Sequence, residues 1–162
     1  MARWCAHPRV DRSATRAVKT WSGAAAGRFA LAVTNVPREA DVRVRFINDR
    51  SRYGETAPRV DRTGRIVSAD IAINGAGAGD VILLEQRIVM YLTALHELGH
   101  ALGLAHTDNF GDIMYAFRQP GDGERYFGAF RRRVTSVADI GSTRATGLSR
   151  DDLAALQKLY ER

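Results

Sequence analysis

From Ile88 to Thr107 the chain runs through apolar residues, and the only side chains there able to carry charge are His96, Glu97, His100 and His106. This run limits the fold more than any other feature. Leu84, Ile88, Leu92, Leu95 and Leu102 trace one helical stripe, while Val89, Met90, Ala94, Leu98 and Ala101 cover the other faces. A helix apolar nearly all round is buried nearly all round. A carboxylate inside it costs several kcal/mol unless a partner or a metal compensates. The fold must therefore wrap a long helix starting near Val81 and bring the imidazoles and the one acid of this apolar run to a common purpose.

Helix geometry says what that purpose can be. Residues four apart differ by about 40° in direction and about 6 Å in height, so His96 and His100 project side by side and can share one metal ion. Glu97 lies about 100° further round, close enough to reach a metal-bound water but wrongly aimed to be a ligand itself. In a continuing helix His106 would point roughly 240° away from His100. The helix must stop first, and Gly103 can stop it, because glycine takes the positive φ that ends helices. The stretch "HELGHALGLAH", residues 96 to 106, is thus a metal-binding pattern, and its extended spacing is far more specific than HExxH alone.

The remaining segments supply a scaffold. "VDRSATRAVKTW" spaces Val10, Ala14, Ala17, Val18 and Trp21 as an amphipathic helix that "GAAAG" ends, with Trp21 in the core. "FALAVTNV", "ADVRVRFIND" and "RIVSADIAIN" read as strands; in the second, Val42, Val44 and Phe46 alternate with Arg43 and Arg45. "RYGETAPRVDRTG" is at most an irregular edge strand. Asp80, after "GAGAGD", is placed to cap the long helix, and that glycine stretch is a connector without the lysine of a phosphate loop. "LSRDDLAALQKLY" is a helix capped by Ser149 with Asp152 three residues on and Leu153, Leu156 and Tyr160 on one side. About forty residues rich in Gly and Arg precede it, a connection long enough to be functional or loosely ordered.

Composition closes off other classes. The single cysteine, Cys5, rules out an internal disulfide framework and a cysteine-based zinc cluster. The net charge of +6 is nearly all arginine, since Lys19 and Lys158 are the only lysines, and no aromatic and basic interleaving accompanies it. It reads as a solvated surface, not a nucleic-acid module. At 162 residues the chain fits one domain that buries roughly two-thirds of its unfolded surface. "MARWCAHPRV" lacks the apolar core of a signal peptide, and no stretch of about 18 apolar residues exists. The expectation is a soluble chain, either one that crosses no membrane or one whose leader and pro-segment have been left off.

"HELGHALGLAH" resembles the signature of metzincin zinc peptidases, and "DIMY" at 112 to 115 resembles their Met-turn. Within that clan the chain is similar to matrixins, in the spacing to Met114, in Tyr115 directly after it and in the closing "LSRDDLAALQKLY". The likeness implies an α+β fold: a metzincin catalytic domain with a twisted mixed sheet, two helices above the cleft and a small C-terminal subdomain ending in a helix. The whole of 1–162 would be one catalytic domain, with 1–106 as the upper subdomain and 107–162 as the lower. It assigns His96, His100 and His106 to one catalytic zinc, Glu97 to the role of general base and acid, and Met114 to the floor beneath the metal. Tyr115 and Ala116 would line the substrate pocket. The implied activity is zinc-dependent hydrolysis of peptide bonds in extended polypeptides by metal-activated water, with substrate lying antiparallel to the edge strand near "YGETAPRV". A monomer acting outside the cell, with no nucleic-acid partner and no membrane span, completes what the likeness suggests.

The departures are specific. Only His7 remains as a further histidine, so a histidine-rich structural zinc site cannot be assembled. Calcium stays possible, but no dense acidic loop indicates it. Ala116 stands where matrixins usually have proline, and Cys5 in "RWCAHP" does not match a cysteine switch and reads as part of a first strand. Asp151 and Asp152 match the acidic pair that opens the terminal helix in matrixins, where it braces the Met-turn; capping is the simpler role. Two rival readings follow: a hydrolase whose third ligand is a downstream carboxylate such as Glu124, and an inactive relative that binds peptide or polyanion through arginines such as Arg131, Arg132 and Arg133.

Overall fold

The computed structural model describes residues 2–6, 12–49, 51–75 and 83–161. Strand β1 (Ala2–Ala6), which carries Cys5, is followed by helix α1 (Arg12–Ala24) and strand β2 (Leu31–Thr34). Val10 and His7 lie outside the described residues. Helix α1 buries Ser13, Ala14, Ala17, Val18 and Trp21, the face its three- and four-residue spacing marks out, and it ends inside "GAAAG".

Strands β3 (Val42–Ile47), β4 (Gly54–Val60) and β5 (Ile66–Asn74) complete a five-stranded sheet of order β2-β1-β3-β5-β4. β1 pairs in parallel with β2 and β3, and β3 with β5, whereas β4 runs antiparallel to β5. The sheet is therefore mixed, with its antiparallel strand at one edge. Along β5 Ala69, Ile71 and Ile73 are buried, and on the opposite face Asp70 meets Arg43 at 3.5 Å and Arg59 at 3.7 Å. These pairs are half-exposed and contribute little. Pro58 and a register shift between Arg59 and Val60 lie in β4, as an edge strand allows and a central one does not.

Helix α2 (Leu84–Ala101) starts three residues after the expected Val81. Its N-cap is Leu83, whose N–H donates to Gln86 Oε1 at 3.0 Å; Asp80, expected to cap it, lies outside the described residues. Ten residues of α2 are buried, from Ile88 to Gly99. Trp21 explains part of this, since its indole Nε1–H donates to the Leu95 carbonyl at 2.8 Å and ties α1 across α2. Tyr91 adds a second tie, sharing a hydrogen bond of 3.0 Å with Thr20 and donating to the Thr146 carbonyl.

The long connection after Met114 is more ordered than its composition suggests. It contains helix α3 (Asp122–Arg131), absent from the sequence reading because Gly123 and Gly128 lie inside it, its N-cap is Gly121, and no cap side chain announces it. Phe130 and Val134 pin it to the core, and Arg131 reaches Glu85 at 3.0 Å. Helix α4 (Arg150–Leu159) closes the fold with a capping box: the Asp152 N–H donates to Ser149 Oγ at 3.0 Å and the Ser149 N–H to Asp152 Oδ2 at 2.8 Å. The result is an α+β fold, with α1 and α2 packed on one face of the mixed sheet. Among the described residues no helix is long and apolar enough to cross a membrane.

Candidate metal centre and cleft

Helix α2 ends in a way that decides where His106 goes. Gly103 has φ +98°, its N–H donates to the His100 carbonyl at 2.9 Å, and the Leu104 N–H reaches back to the Gly99 carbonyl at 2.9 Å. This is a Schellman turn, with glycine in the position where a Cβ would be strained. The chain is thrown back over the last turn of α2, and His106 arrives beside the two helical histidines.

The three Nε2 atoms form a small triangle. His96 and His100 are 3.2 Å apart, His96 and His106 3.2 Å, and His100 and His106 3.1 Å. A tetrahedral zinc ion with bonds of about 2.0–2.1 Å spaces its nitrogen ligands about 3.3–3.4 Å apart. The donor set fits that spacing to within about 0.2 Å, the tolerance expected of a real site. Among the described residues no other group of three or more His, Cys, Asp or Glu side chains brings ligand atoms together in this way.

The opposite ring nitrogens fix the tautomers. His96 Nδ1 lies 2.6 Å from the Ile113 carbonyl and His100 Nδ1 lies 2.9 Å from the Leu104 carbonyl. A carbonyl only accepts, so each Nδ1 carries the proton and each Nε2 presents a lone pair to the centre. Burial pushes His96 down to about 4; the Ile113 bond opposes the shift, and the closeness of the His100 and His106 rings adds to it. His106 is lowered too, by burial and then by His100 and Arg118. Such rings stay neutral near pH 7, as metal ligation requires.

Glu97 is buried and points to β4. Its Oε2 accepts from the Thr56 hydroxyl at 2.7 Å, and the same hydroxyl lies 2.9 Å from the Glu97 carbonyl. Gly54 makes the approach possible: a Cβ there would sit 2.7 Å from Thr93 Cγ2, 2.8 Å from Glu97 Oε1 and 2.9 Å from Glu97 Cγ. Burial raises the Glu97 carboxyl above its ordinary range, and the Thr56 hydroxyl partly offsets the rise. Neither Thr56 nor Gly54 stood out in the sequence, although a glycine inside a strand is a known sign of close approach.

Beneath the histidines the segment 107–116 closes on itself. The Thr107 N–H donates to the Met114 carbonyl at 2.9 Å and the Ala116 N–H to the Thr107 carbonyl at 3.2 Å. Met114 is buried under α2, its sulfur in the space that a side chain on Gly99 would occupy. Two buried acids hold this turn. Asp112 accepts from Thr107 Oγ1 at 3.0 Å, Asn109 Nδ2 at 3.0 Å and Ser149 Oγ at 2.8 Å. Asp152 Oδ2 accepts from the Ile113 N–H at 2.9 Å while capping α4. Asp152 therefore both caps and braces, and through Ile113 it connects to His96; Asp151 is exposed, 3.4 Å from Asn109.

A model of the matrixin family of peptidases matches residues 3–126, which include the histidine triangle, Glu97 and Met114. The chain belongs to the matrixin family. Curated relatives agree. It is 30% identical over 115 residues to an interstitial collagenase of Oryctolagus cuniculus, covering 65% of this chain and 23% of that protein. It is 26% identical over 163 residues to human matrilysin, covering 95% of this chain and 51% of the relative. The interstitial collagenase of Sus scrofa is 29% identical over 114 residues, 65% of this chain and 23% of its own length. The matrixin thus spans from about a quarter to about half of the length of these relatives. The family is one of zinc-dependent endopeptidases, and here the histidine triangle lies beside the buried Glu97.

In this matrixin the histidines and Glu97 open into a cavity of about 510 Å³. Leu92 and Thr93 of α2 form its back, and Tyr115, Ala116 and Phe117 follow from the turn. Tyr53, Tyr126 and Phe127 add further rings. A second hollow shares Thr56 and His100 with it and is also lined by Pro58, Ile66 and Leu104. One buried acid that the sequence did not flag arranges the wall. Asp122 is fully buried at the start of α3 and accepts from the Arg118 N–H at 2.9 Å, the Gln119 N–H at 2.9 Å and Tyr115 Oη at 3.1 Å, with Arg125 on its other oxygen. These backbone donors hold its carboxyl well below the usual carboxylate range. Glu124 is exposed on α3, outside the histidine cluster, so nothing supports it as a ligand. Arg131 and Arg133 of the alternative binding reading are hydrogen-bonded to Glu85 and to the Arg144 carbonyl.

Proposed function

We propose that this matrixin is a zinc-dependent endopeptidase in which His96, His100 and His106 hold the ion, Glu97 is the general base and acid, and Met114 forms the floor. The convergence of three Nε2 atoms within 3.2 Å of one another carries the reading, because the carbonyls on the Nδ1 atoms of His96 and His100 leave those two Nε2 lone pairs facing each other, a repulsion that a cation among the rings would offset. When bound there, zinc supplies Lewis acidity, lowering the pKa of a water ligand toward about 7 and polarising a peptide carbonyl.

The protein's own groups do the rest. Among the described residues no strand pairs with the outer edge of β4, which offers backbone donors and acceptors to a polypeptide laid antiparallel to it. Glu97 takes a proton from the attacking water as its oxygen bonds to the carbonyl carbon. It then gives that proton to the amine nitrogen as the C–N bond breaks. Burial raises the affinity of Glu97 for the proton, which suits a group that must accept and then release it near neutral pH. Thr56 and Gly54 fix its carboxylate, and Tyr115 and Ala116 line the pocket beside it. Residues 1–106 make the upper wall and 107–162 the lower, in a monomer that binds one zinc and acts outside the cell.

The test is digestion of a peptide library, with and without chelator, alongside metal analysis. Cleavage that chelator stops and zinc restores is expected, together with Glu97→Gln protein that keeps about one equivalent of zinc yet turns over roughly 10²–10⁴-fold more slowly. Folded, zinc-loaded wild type that cuts nothing would refute the reading and favour an inactive peptide binder.

A further inference from the structure

We propose that Tyr53 is a specificity-determining residue, an aromatic bridge across the cleft that limits the side chain accepted directly after the scissile bond; this rests on the endopeptidase reading above. Tyr53 stands immediately before β4, and its carbonyl accepts from the Asn74 N–H at 2.7 Å, so its backbone is pinned to the end of β5. Its ring crosses to the other side of the cleft. It meets Phe117 edge-on, with centroids 5.8 Å apart and planes at 88°, and Phe127 at 5.0 Å and 72°. Phe117 follows the turn of Met114, and Phe127 belongs to α3.

Helix α3 is shaped to receive that ring. A Cβ on Gly123 would lie 2.5 Å from the Tyr53 hydroxyl oxygen and 3.1 Å from Cε2 and Cζ, so the phenol rests on bare backbone. The side chain is 42% exposed, which makes it the solvent-side cover of the cavity and not part of its back. Thr56, hydrogen-bonded to Glu97, marks the reaction centre along β4. A peptide antiparallel to β4 runs from the Val60 end toward Tyr53, so the residues after the cleaved bond pass beneath the bridge. Apolar and aromatic walls favour an apolar side chain there, and Tyr53 sets how long it can be.

Two matched peptides, with leucine or biphenylalanine directly after the cleaved bond, test this as a ratio of kcat/KM. Wild type favours leucine, and Tyr53→Ala raises the biphenylalanine-to-leucine ratio by about tenfold or more, the scale of subsite discrimination by size. Gly123→Ala keeps the ring but displaces it, and suits a helix better than glycine, so it shifts the ratio the same way in a protein that folds. Adding Tyr53→Phe to Gly123→Ala removes the clashing oxygen and returns the ratio toward wild type. A residue that merely packed would change the melting temperature and leave the ratio alone. An unchanged ratio in both single variants overturns the bridge while leaving the endopeptidase reading intact, whereas a wild type that cleaves neither peptide refutes that reading and the bridge with it.

Discussion

Gly54→Ala isolates the fit between β4 and the proposed general base. The glycine lies in extended strand, without a positive φ, so alanine accepts its backbone and the only obstacle is space. The new methyl would meet Thr93 Cγ2 at 2.7 Å and Glu97 at 2.8 and 2.9 Å. Ordinary contact begins at 3.4 Å, so α2 and β4 must separate, or the Glu97 side chain must swing, by roughly 0.5–0.7 Å. Overpacking on this scale costs about 1–3 kcal/mol. In a domain of this length each kcal/mol lowers Tm by about 2–4 °C, so a fall of about 2–12 °C is expected.

Turnover should suffer more than stability. A misplacement of about 1 Å at a reacting group costs on the order of 10²-fold, so a shift of half to two-thirds of that predicts a loss of about 10- to 20-fold in kcat/KM. The three imidazoles are not among the atoms struck, and bound zinc should stay at one equivalent. Fluorogenic peptide kinetics, metal analysis and a thermal melt on the same preparation give all three numbers. A variant that melts several degrees lower yet keeps wild-type kcat/KM would refute the claim that β4 positions Glu97. Loss of zinc would show that the strand supports the histidines instead.

Other perturbations separate the remaining parts. At free zinc about 100-fold above Kd, binding adds about 2.7 kcal/mol to stability, so a chelator should lower Tm by about 5–10 °C, and His106→Ala should abolish that dependence; an undiminished shift in the variant would remove His106 from the ligand set. Thr93 Oγ1 is buried with no hydrogen-bond partner among the described residues, so Thr93→Val should be neutral or stabilising by about 1 kcal/mol in chemical denaturation, and a marked loss would mean that the hydroxyl has a partner. Asp122 has a folded-state pKa below its unfolded value, so the stability it contributes is present above the unfolded carboxylate pKa of about 3.9 and is lost as pH falls toward the folded value. Asp122→Asn should therefore be less stable at pH 7 and lose less on acidification than wild type; parallel curves of stability against pH would rule out that role.

What the sequence revealed divides along physical lines. Elements whose burial is periodic were legible: α1 from Ala14, Ala17, Val18 and Trp21, α2 from its all-round apolarity, β3 from Val42, Val44 and Phe46, and α4 from Ser149 and Asp152. Gly103 was legible because only a glycine solves the turn between His100 and His106, and the structure gives it φ +98°. Helix α3 was not, since its two glycines argue against a helix and the acid that anchors it, Asp122, acts through contacts with the residues just before α3 and with Tyr115. Thr56, Gly54, Tyr53 and Asp112 share that trait: each matters through something distant in the chain or hidden in a turn, and no periodicity reports such a contact.

Two glycines explain why α2 carries a usable site and not just a row of histidines. Gly54 lets β4 come down on Glu97 and Thr93 from one side, and Gly99 lets Met114 come up against the helix from the other, with Trp21 beside it. The helix is held between a strand and a turn over the single span from Thr93 to His100. Each approach also supplies a partner to a functional group: Thr56 to Glu97 through β4, and the Ile113 carbonyl to His96 through the turn. A side chain at either glycine would leave His96, Glu97, His100 and His106 in place in the sequence while moving the groups that orient them. The spacing of "HELGHALGLAH" therefore sets which atoms can meet, and close approach by backbone sets whether they meet with the correct nitrogen bare and the carboxylate aimed into the cleft.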